Sequence, residues 1–129
     1  GKLNFHIYKN KIEDSFNFAI SRGRLNHKKS IPVRVLSIKI LNKKITNNLD
    51  IKKSLDFLSK YKNFLLLIIN QKTNSIQDQN AKTLRYYGIG AQIIKDLNVK
   101  NMILISRSKK KIIGLEGFGL RIKKQIIIK

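Results

Sequence analysis

Cysteine is absent from this sequence of 129 residues. Its absence excludes disulfides, thiolate zinc sites and a cysteine nucleophile. Long apolar runs are missing too, since the longest, Phe64 to Ile69, is far shorter than the roughly 20 residues that a membrane-spanning helix needs. The first residues show no signal-peptide pattern, because polar side chains such as Asn4, His6 and Asn10 interrupt them. We therefore expect a cytoplasmic protein with no membrane partner.

Acidic residues are scarce. The sequence has 7 Asp or Glu against 28 Lys or Arg, for a formal net charge of +21. Such a charge raises the hypothesis of a basic nucleic-acid-binding domain. However, the chain is rich in Lys, Asn and Ile together, which share A/T-rich codons, and the basic residues are spread along its whole length. We interpret the charge as a solvated lysine surface and keep nucleic-acid binding as an alternative that we do not expect.

The length suits one compact domain covering residues 1–129. The sequence begins with Gly1, and its single methionine is Met102. We therefore expect a fragment of a longer chain, with Gly1 as a tag remnant.

Apolar periodicity predicts alternating strands and helices. Strands are expected at 3–8, 16–20, 31–41, 64–69, 102–106 and 120–128, and helices at about 48–61 and 78–97. Asn98 suits the left-handed position that ends a helix. Gly88 and Gly90 weaken the second helix and are expected to allow close backbone packing. The first half favours antiparallel pairing and the second half favours parallel pairing. The fold class is thus α/β, a mixed central sheet flanked by helices.

Two stretches in the last third of the chain carry a family resemblance. Residues 87–99 (YGIGAQIIKDLNV) and 114–120 (GLEGFGL) resemble the "YGIGAQIL-DLGV" and "GLEGYGL" motifs of the GTP cyclohydrolase II family of riboflavin biosynthesis. Residues 102–106 and 31–37 resemble two strands of the same family, in order. The resemblance implies a GTP cyclohydrolase II-like fold. It also suggests a degenerate C-terminal domain of a bifunctional 3,4-dihydroxy-2-butanone 4-phosphate synthase/GTP cyclohydrolase II.

The family opens the imidazole ring of GTP with a zinc ion that three cysteines hold. The matching positions here are Lys39, Ile45 and Asn47, none of which can replace a thiolate. We therefore expect no metal and no cofactor. The family's glycine-rich substrate loop retains only Gln71, and its Asp-x-Arg pair becomes Thr83-Leu84-Arg85. Because threonine cannot serve as a proton acceptor near neutral pH, we expect no catalytic residue, with Arg85 as a family remnant.

Four residues match phosphate- or substrate-binding positions of the family: Arg34, Arg85, Ser106 and Lys111. They motivate an alternative function, a nucleotide- or phosphate-sensing regulatory module with weak affinity for GTP or phosphate. For Arg34, a plain position on an exposed strand face is the competing interpretation. The function we expect is a structural or dimerisation role, as a homodimer, beside a fused N-terminal synthase domain.

Overall fold

The computed structural model describes residues 2–10, 15–38, 49–70, 79–107 and 119–128. These ranges hold six strands and two helices. The strands are β1 (Leu3–Asn10), β2 (Ser15–Arg22), β3 (Ser30–Ile38), β4 (Phe64–Asn70), β5 (Asn101–Ser106) and β6 (Arg121–Ile127), and the helices are α1 (Leu49–Leu58) and α2 (Gln79–Asp96).

The strands form one mixed sheet in the order β1-β2-β4-β3-β5-β6. β1 pairs antiparallel with β2, and β2 pairs antiparallel with β4. From β4 onward all neighbours are parallel: β3 with β4, β3 with β5, and β5 with β6. Parallel neighbours need crossover connections, which α1 supplies between β3 and β4 and α2 supplies between β4 and β5.

Each face of the sheet has its own apolar core under one helix. On the α2 face, Ala91 and Ile94 pack with Val33, Leu65 and Leu67. On the α1 face, another set of buried side chains comes together: Ile51, Leu58, Phe18, Leu66 and Ile68. The apolar run Phe64 to Ile69 in β4 is buried because helices cover both faces of the sheet, as expected for a central parallel strand.

The structure confirms the α/β class and the mixed sheet, and most predicted elements lie within a few residues of their observed bounds. α1 is shorter than predicted, ending at Leu58. Asn98 has a φ of 67°, which confirms the left-handed position. The expectation for Gly88 and Gly90 is wrong within the described part of the chain. There, no atom lies within 4 Å of a Cβ built on Gly88, and only Leu67 Cδ1, at 3.9 Å, approaches one on Gly90.

Strand β1 forms one edge of the sheet and is covered on one face only. On the α2 face, the Tyr8 hydroxyl donates a hydrogen bond of 3.0 Å to Asp96 Oδ2. Burial, and next the hydrogen bond to Asp96, raise the pKa of Tyr8 to about 12. On the opposite face, Leu3, Phe5 and Ile7 are 49%, 54% and 61% exposed. We call these three side chains the β1 apolar stripe.

No helix in the described ranges is both long and apolar enough to cross a membrane.

Candidate functional site at the carboxyl ends of the parallel strands

The connectivity of the sheet reverses direction between the ends of β3 and β4. β3 leads into α1 on one face of the sheet, whereas β4 leads into α2 on the other. The two strands end side by side, with Ile38 paired to Asn70. In open α/β sheets, ligands bind outside the carboxyl ends of strands at such a reversal of direction. This carboxyl edge is therefore the candidate functional site.

Two asparagines are joined by a hydrogen bond at the β4 side of this edge. The amide of Asn70 donates a 2.9 Å hydrogen bond to Oδ1 of Asn17 in β2. Asn17 is only 3% exposed, and a buried side-chain amide needs hydrogen-bond partners to offset its desolvation. Sequence reasoning missed Asn17. Its one signal in the sequence was a polar residue between two phenylalanines.

Arg34 is buried, at 8% exposure, so the interpretation of an exposed strand face is wrong. Its neighbours Val33 and Val35 pack on the α2 face, which turns Arg34 toward α1 because side chains alternate along a strand. Nη1 of Arg34 donates to the carbonyl oxygen of Ile105 at 3.3 Å. This bond ties β3 to β5 from within the sheet.

Ser106 ends β5 and is 2% exposed. Met102 and Leu104 pack on the α2 face, and strand alternation places Ser106 on that face too. The carbonyl oxygen of Ser106 accepts a 2.9 Å hydrogen bond from the amide of Ile128. Arg34 and Ser106, predicted as members of one phosphate-binding set, thus lie on opposite faces of the sheet.

An ion pair joins β5 to α1 at the same edge. Nη2 of Arg107 lies 2.6 Å from Oδ1 of Asp50, in the first turn of α1. Asp50 also suits the positive end of the helix dipole. Both side chains are about half exposed, at 59% and 47%, so the pair contributes at most about 1 kcal/mol.

The remaining predicted residues fall elsewhere. The backbone of Arg85 lies in α2, while its side chain is outside the described part of the molecule. Lys111, Gln71 and the cysteine-equivalent positions Lys39, Ile45 and Asn47 also lie outside the described residues.

The residues present do not fit the family's zinc ion. The sequence has no cysteine, and the described residues contain no group of three His, Cys, Asp or Glu that could hold a metal. His6 in β1 contacts the Ser21 hydroxyl, and His27 lies in the connection from β2 to β3. The latter connection is at the opposite end of the sheet from the carboxyl edge. The groups described at the carboxyl edge are hydrogen-bonding amides, a hydroxyl and the Arg107–Asp50 pair.

The mixed six-stranded sheet with two helices on its opposite faces defines the class as an α/β domain. Residues 52–127 match the family described as GTP cyclohydrolase II. Because the match covers more than half of the chain, the chain belongs to the GTP cyclohydrolase II family.

Curated relatives are riboflavin biosynthesis proteins. The chain is 56% identical over 43 residues to riboflavin biosynthesis protein RibBA of Bacillus subtilis, covering 33% of this chain and 11% of that protein. It is 26% identical over 157 residues to RibBA of Chlamydia muridarum, covering 99% of this chain and 37% of that protein. The chain thus spans well under half the length of these relatives.

A solved structure shares the fold. RibBX of A. baumannii, described as a two-domain 3,4-dihydroxy-2-butanone 4-phosphate synthase, matches with a TM-score of 0.57 at 17% identity. The match covers 97% of this chain and 39% of that one.

Proposed function

We propose that this chain is a GTP cyclohydrolase II-like domain of riboflavin biosynthesis that does not process GTP and that serves a structural, dimer-forming role. The observation that carries the proposal is the absence of cysteine from the whole sequence. Water becomes nucleophilic near neutral pH when a bound zinc ion lowers its pKa. Without thiolates, a domain of this family has no means of holding that ion in the family's manner.

The described chemistry of the carboxyl edge supports the same conclusion. Asn17 and Asn70 bond to each other, and Asp50 is held by Arg107. A general acid–base residue must lie within hydrogen-bond reach of a reacting group and titrate near the working pH. The described edge residues offer donors and acceptors of hydrogen bonds, but no histidine.

The decisive experiment is a cyclohydrolase assay on the purified chain supplemented with zinc. Formate release from GTP should stay at the level of a zinc-and-buffer blank. An active RibBA assayed in parallel, in the same buffer, shows that the conditions support the reaction. Formate release above the blank, abolished by chelation and restored by zinc, would overturn the proposal.

The β1 apolar stripe supports the dimer-forming role. Leu3, Phe5 and Ile7 project from an edge strand on one face, and Phe5 adds a tilted ring contact with Phe18 at 5.6 Å. Apolar side chains grouped in this way mark association surfaces, and an edge strand also offers main-chain groups for pairing. We propose that a second copy covers this surface.

Sedimentation equilibrium tests the dimer. The unaltered chain should show twice the monomer mass at high protein concentration. Because two highly basic copies repel each other, added salt should strengthen the dimer. Phe5→Ser with Ile7→Ser should give a monomer, whereas Leu49→Ser, at a site 63% exposed outside the stripe, should not. A monomer mass for the unaltered chain at all concentrations and salts would exclude this role.

We also propose that a 3,4-dihydroxy-2-butanone 4-phosphate synthase domain accompanies this domain, as it does in RibBX. The support is the family membership and the shared fold. The genomic reading frame around this sequence tests the point directly. A complete frame that encodes no such domain would refute it.

The nucleotide- or phosphate-sensing alternative gains no such support. Arg34 is turned toward α1, and Ser106 lies on the other face. These two remnants therefore do not converge on one anion.

A further inference from the structure

Basic segments lie at the end of the sheet opposite the candidate site. β3, β4, β5 and β6 are parallel and all begin there, and the antiparallel strand β2 ends there. Four described segments, which include the strand ends Arg22 and Arg121, therefore meet along one side of the molecule: residues 22–29, 59–63, 97–100 and 119–121. We call this side the amino edge.

The amino edge is basic throughout. Its twenty residues include eight Lys or Arg and no Asp or Glu. The eight are Arg22, Arg24, Lys28, Lys29, Lys60, Lys62, Lys100 and Arg121. All except the half-buried Arg22 are exposed. Within the described ranges, none of the eight makes an ion pair with Asp50, Asp56 or Asp96, and the pair observed there is that of Arg107 with Asp50.

Two of these connections pack directly together. Gly23, with a φ of 75°, lies so close to the connection between α1 and β4 that a Cβ on it would overlap Asn63. Next to it, the guanidinium of Arg22 stacks over the Phe64 ring at 4.9 Å. This packing fixes the backbone that carries the cations of residues 22–29 and 59–63.

The other connections are joined by hydrogen bonds. Nδ2 of Asn101 donates to the carbonyl oxygen of His27 at 3.1 Å. The amide of Arg121 donates to the carbonyl oxygen of Lys100 at 2.8 Å. These bonds extend the surface from β3 across β5 to β6, so the charges lie on one continuous edge.

We propose that the amino edge binds the phosphate backbone of a nucleic acid without regard to base sequence. From β2 to β6 the edge crosses four strand spacings, which is about 19 Å. Phosphates on one strand of a duplex follow each other every 3.4 Å or so along the axis, so this length faces about six of them. The match of length and charge favours a linear polyanion.

The other side chains of the edge favour nucleic acid over an acidic protein. Between the cations lie Asn26, Asn63 and Asn98, whose amides suit phosphate and sugar oxygens. The leucines and the valine of the edge belong to the core, since Val99 and Leu120 are buried and Leu25 and Leu97 are partly buried against it. Tyr61 is half-buried and contacts the Phe57 ring. A protein interface needs an apolar centre, which the described amino edge does not offer.

Fluorescence anisotropy with a labelled, mixed-sequence DNA duplex tests the proposal. The logarithm of the association constant should fall with the logarithm of salt concentration with a slope of about −4 to −5, for about five phosphate contacts. Lys28→Glu, Lys29→Glu, Lys60→Glu and Lys62→Glu together should weaken binding more than about 30-fold near physiological salt and reduce the magnitude of the slope by about 3 to 4.

A matched variant distinguishes binding by the amino edge from binding that depends on net charge alone. Lys9, Lys52, Lys53 and Lys124 are exposed outside the amino edge, and changing all four to Glu alters the net charge equally. The affinity of this variant should stay within about threefold of the unaltered chain, because such charges are screened beyond roughly 8 Å. Equal losses of affinity in the two variants would refute a defined binding edge. So would displacement of the DNA by polyglutamate at equal charge concentration, which would point to an acidic protein partner.

Discussion

Replacing Gly23 with alanine should destabilise the fold, because two features of this position oppose a side chain. Its φ of 75° lies in the left-handed region, where an L-residue costs about 1 to 2 kcal/mol. The new Cβ would overlap Asn63 Oδ1 and lie 2.8 Å from the carbonyl oxygen of Lys62. The asparagine can rotate away, but the backbone oxygen cannot move without shifting the chain.

The expected loss of stability combines the backbone cost with two further contributions. Overpacking destabilises the variant by about 1 to 3 kcal/mol more, while the reduced freedom of the unfolded chain offsets about 0.5 kcal/mol. The free energy of unfolding should therefore fall by about 2 to 4 kcal/mol, and the melting temperature by on the order of 10 °C. Urea denaturation followed by circular dichroism measures the loss.

Gly119 provides the matched control. Its φ is 81°, yet no atom of the described chain lies within 4 Å of a Cβ built on it. Gly119→Ala should therefore cost only the backbone contribution, about 1 kcal/mol. If Gly23→Ala cost no more than Gly119→Ala, the packing of 22–29 against 59–63 would be refuted.

Three further changes test other parts of the fold. Tyr8→Phe should remove the phenol whose pKa is raised to about 12. The raised pKa stabilises the folded state fully below pH 10, and this advantage is lost as the pH rises from 10 toward 12. Phenolate absorbance and unfolding at several pH values would show both effects, and a titration unchanged by the substitution would contradict them. Gly88→Ala should stabilise α2 by about 0.5 to 1 kcal/mol, measured by thermal unfolding, because no described atom lies within 4 Å of the new methyl group; any loss would contradict this. Asn17→Ala should cost about 1 to 3 kcal/mol in urea denaturation through its buried hydrogen bond with the amide of Asn70, and a cost near zero would show that the bond contributes little.

Much of the fold followed from local pattern. The run Phe64 to Ile69 predicted a strand covered on both faces, and the structure buries all six residues. Asn98 predicted the end of α2 because its side chain tolerates positive φ. The motif in residues 87–99 indicated the family, and the match to GTP cyclohydrolase II confirms it.

The candidate site was predicted less completely. Arg34 and Ser106 were identified by position, but the face on which each lies depends on strand pairing and on which helix covers which side. Asn17 was missed because its partner, the amide of Asn70, is distant in sequence. The alternation of apolar and polar residues shows which side chains of a strand share a face. It does not show which strand lies beside them in the sheet.

The sequence by itself determined the elements, the family and the absence of thiolates, because periodicity, motifs and composition are properties of the chain. Only the tertiary structure decided where the charge lies. Basic residues that are scattered along the sequence meet at the amino edge because parallel strands all begin at the same side of their sheet. Crossover connections bring segments that are distant in sequence into contact, and the lysines and arginines of those segments then form one basic surface.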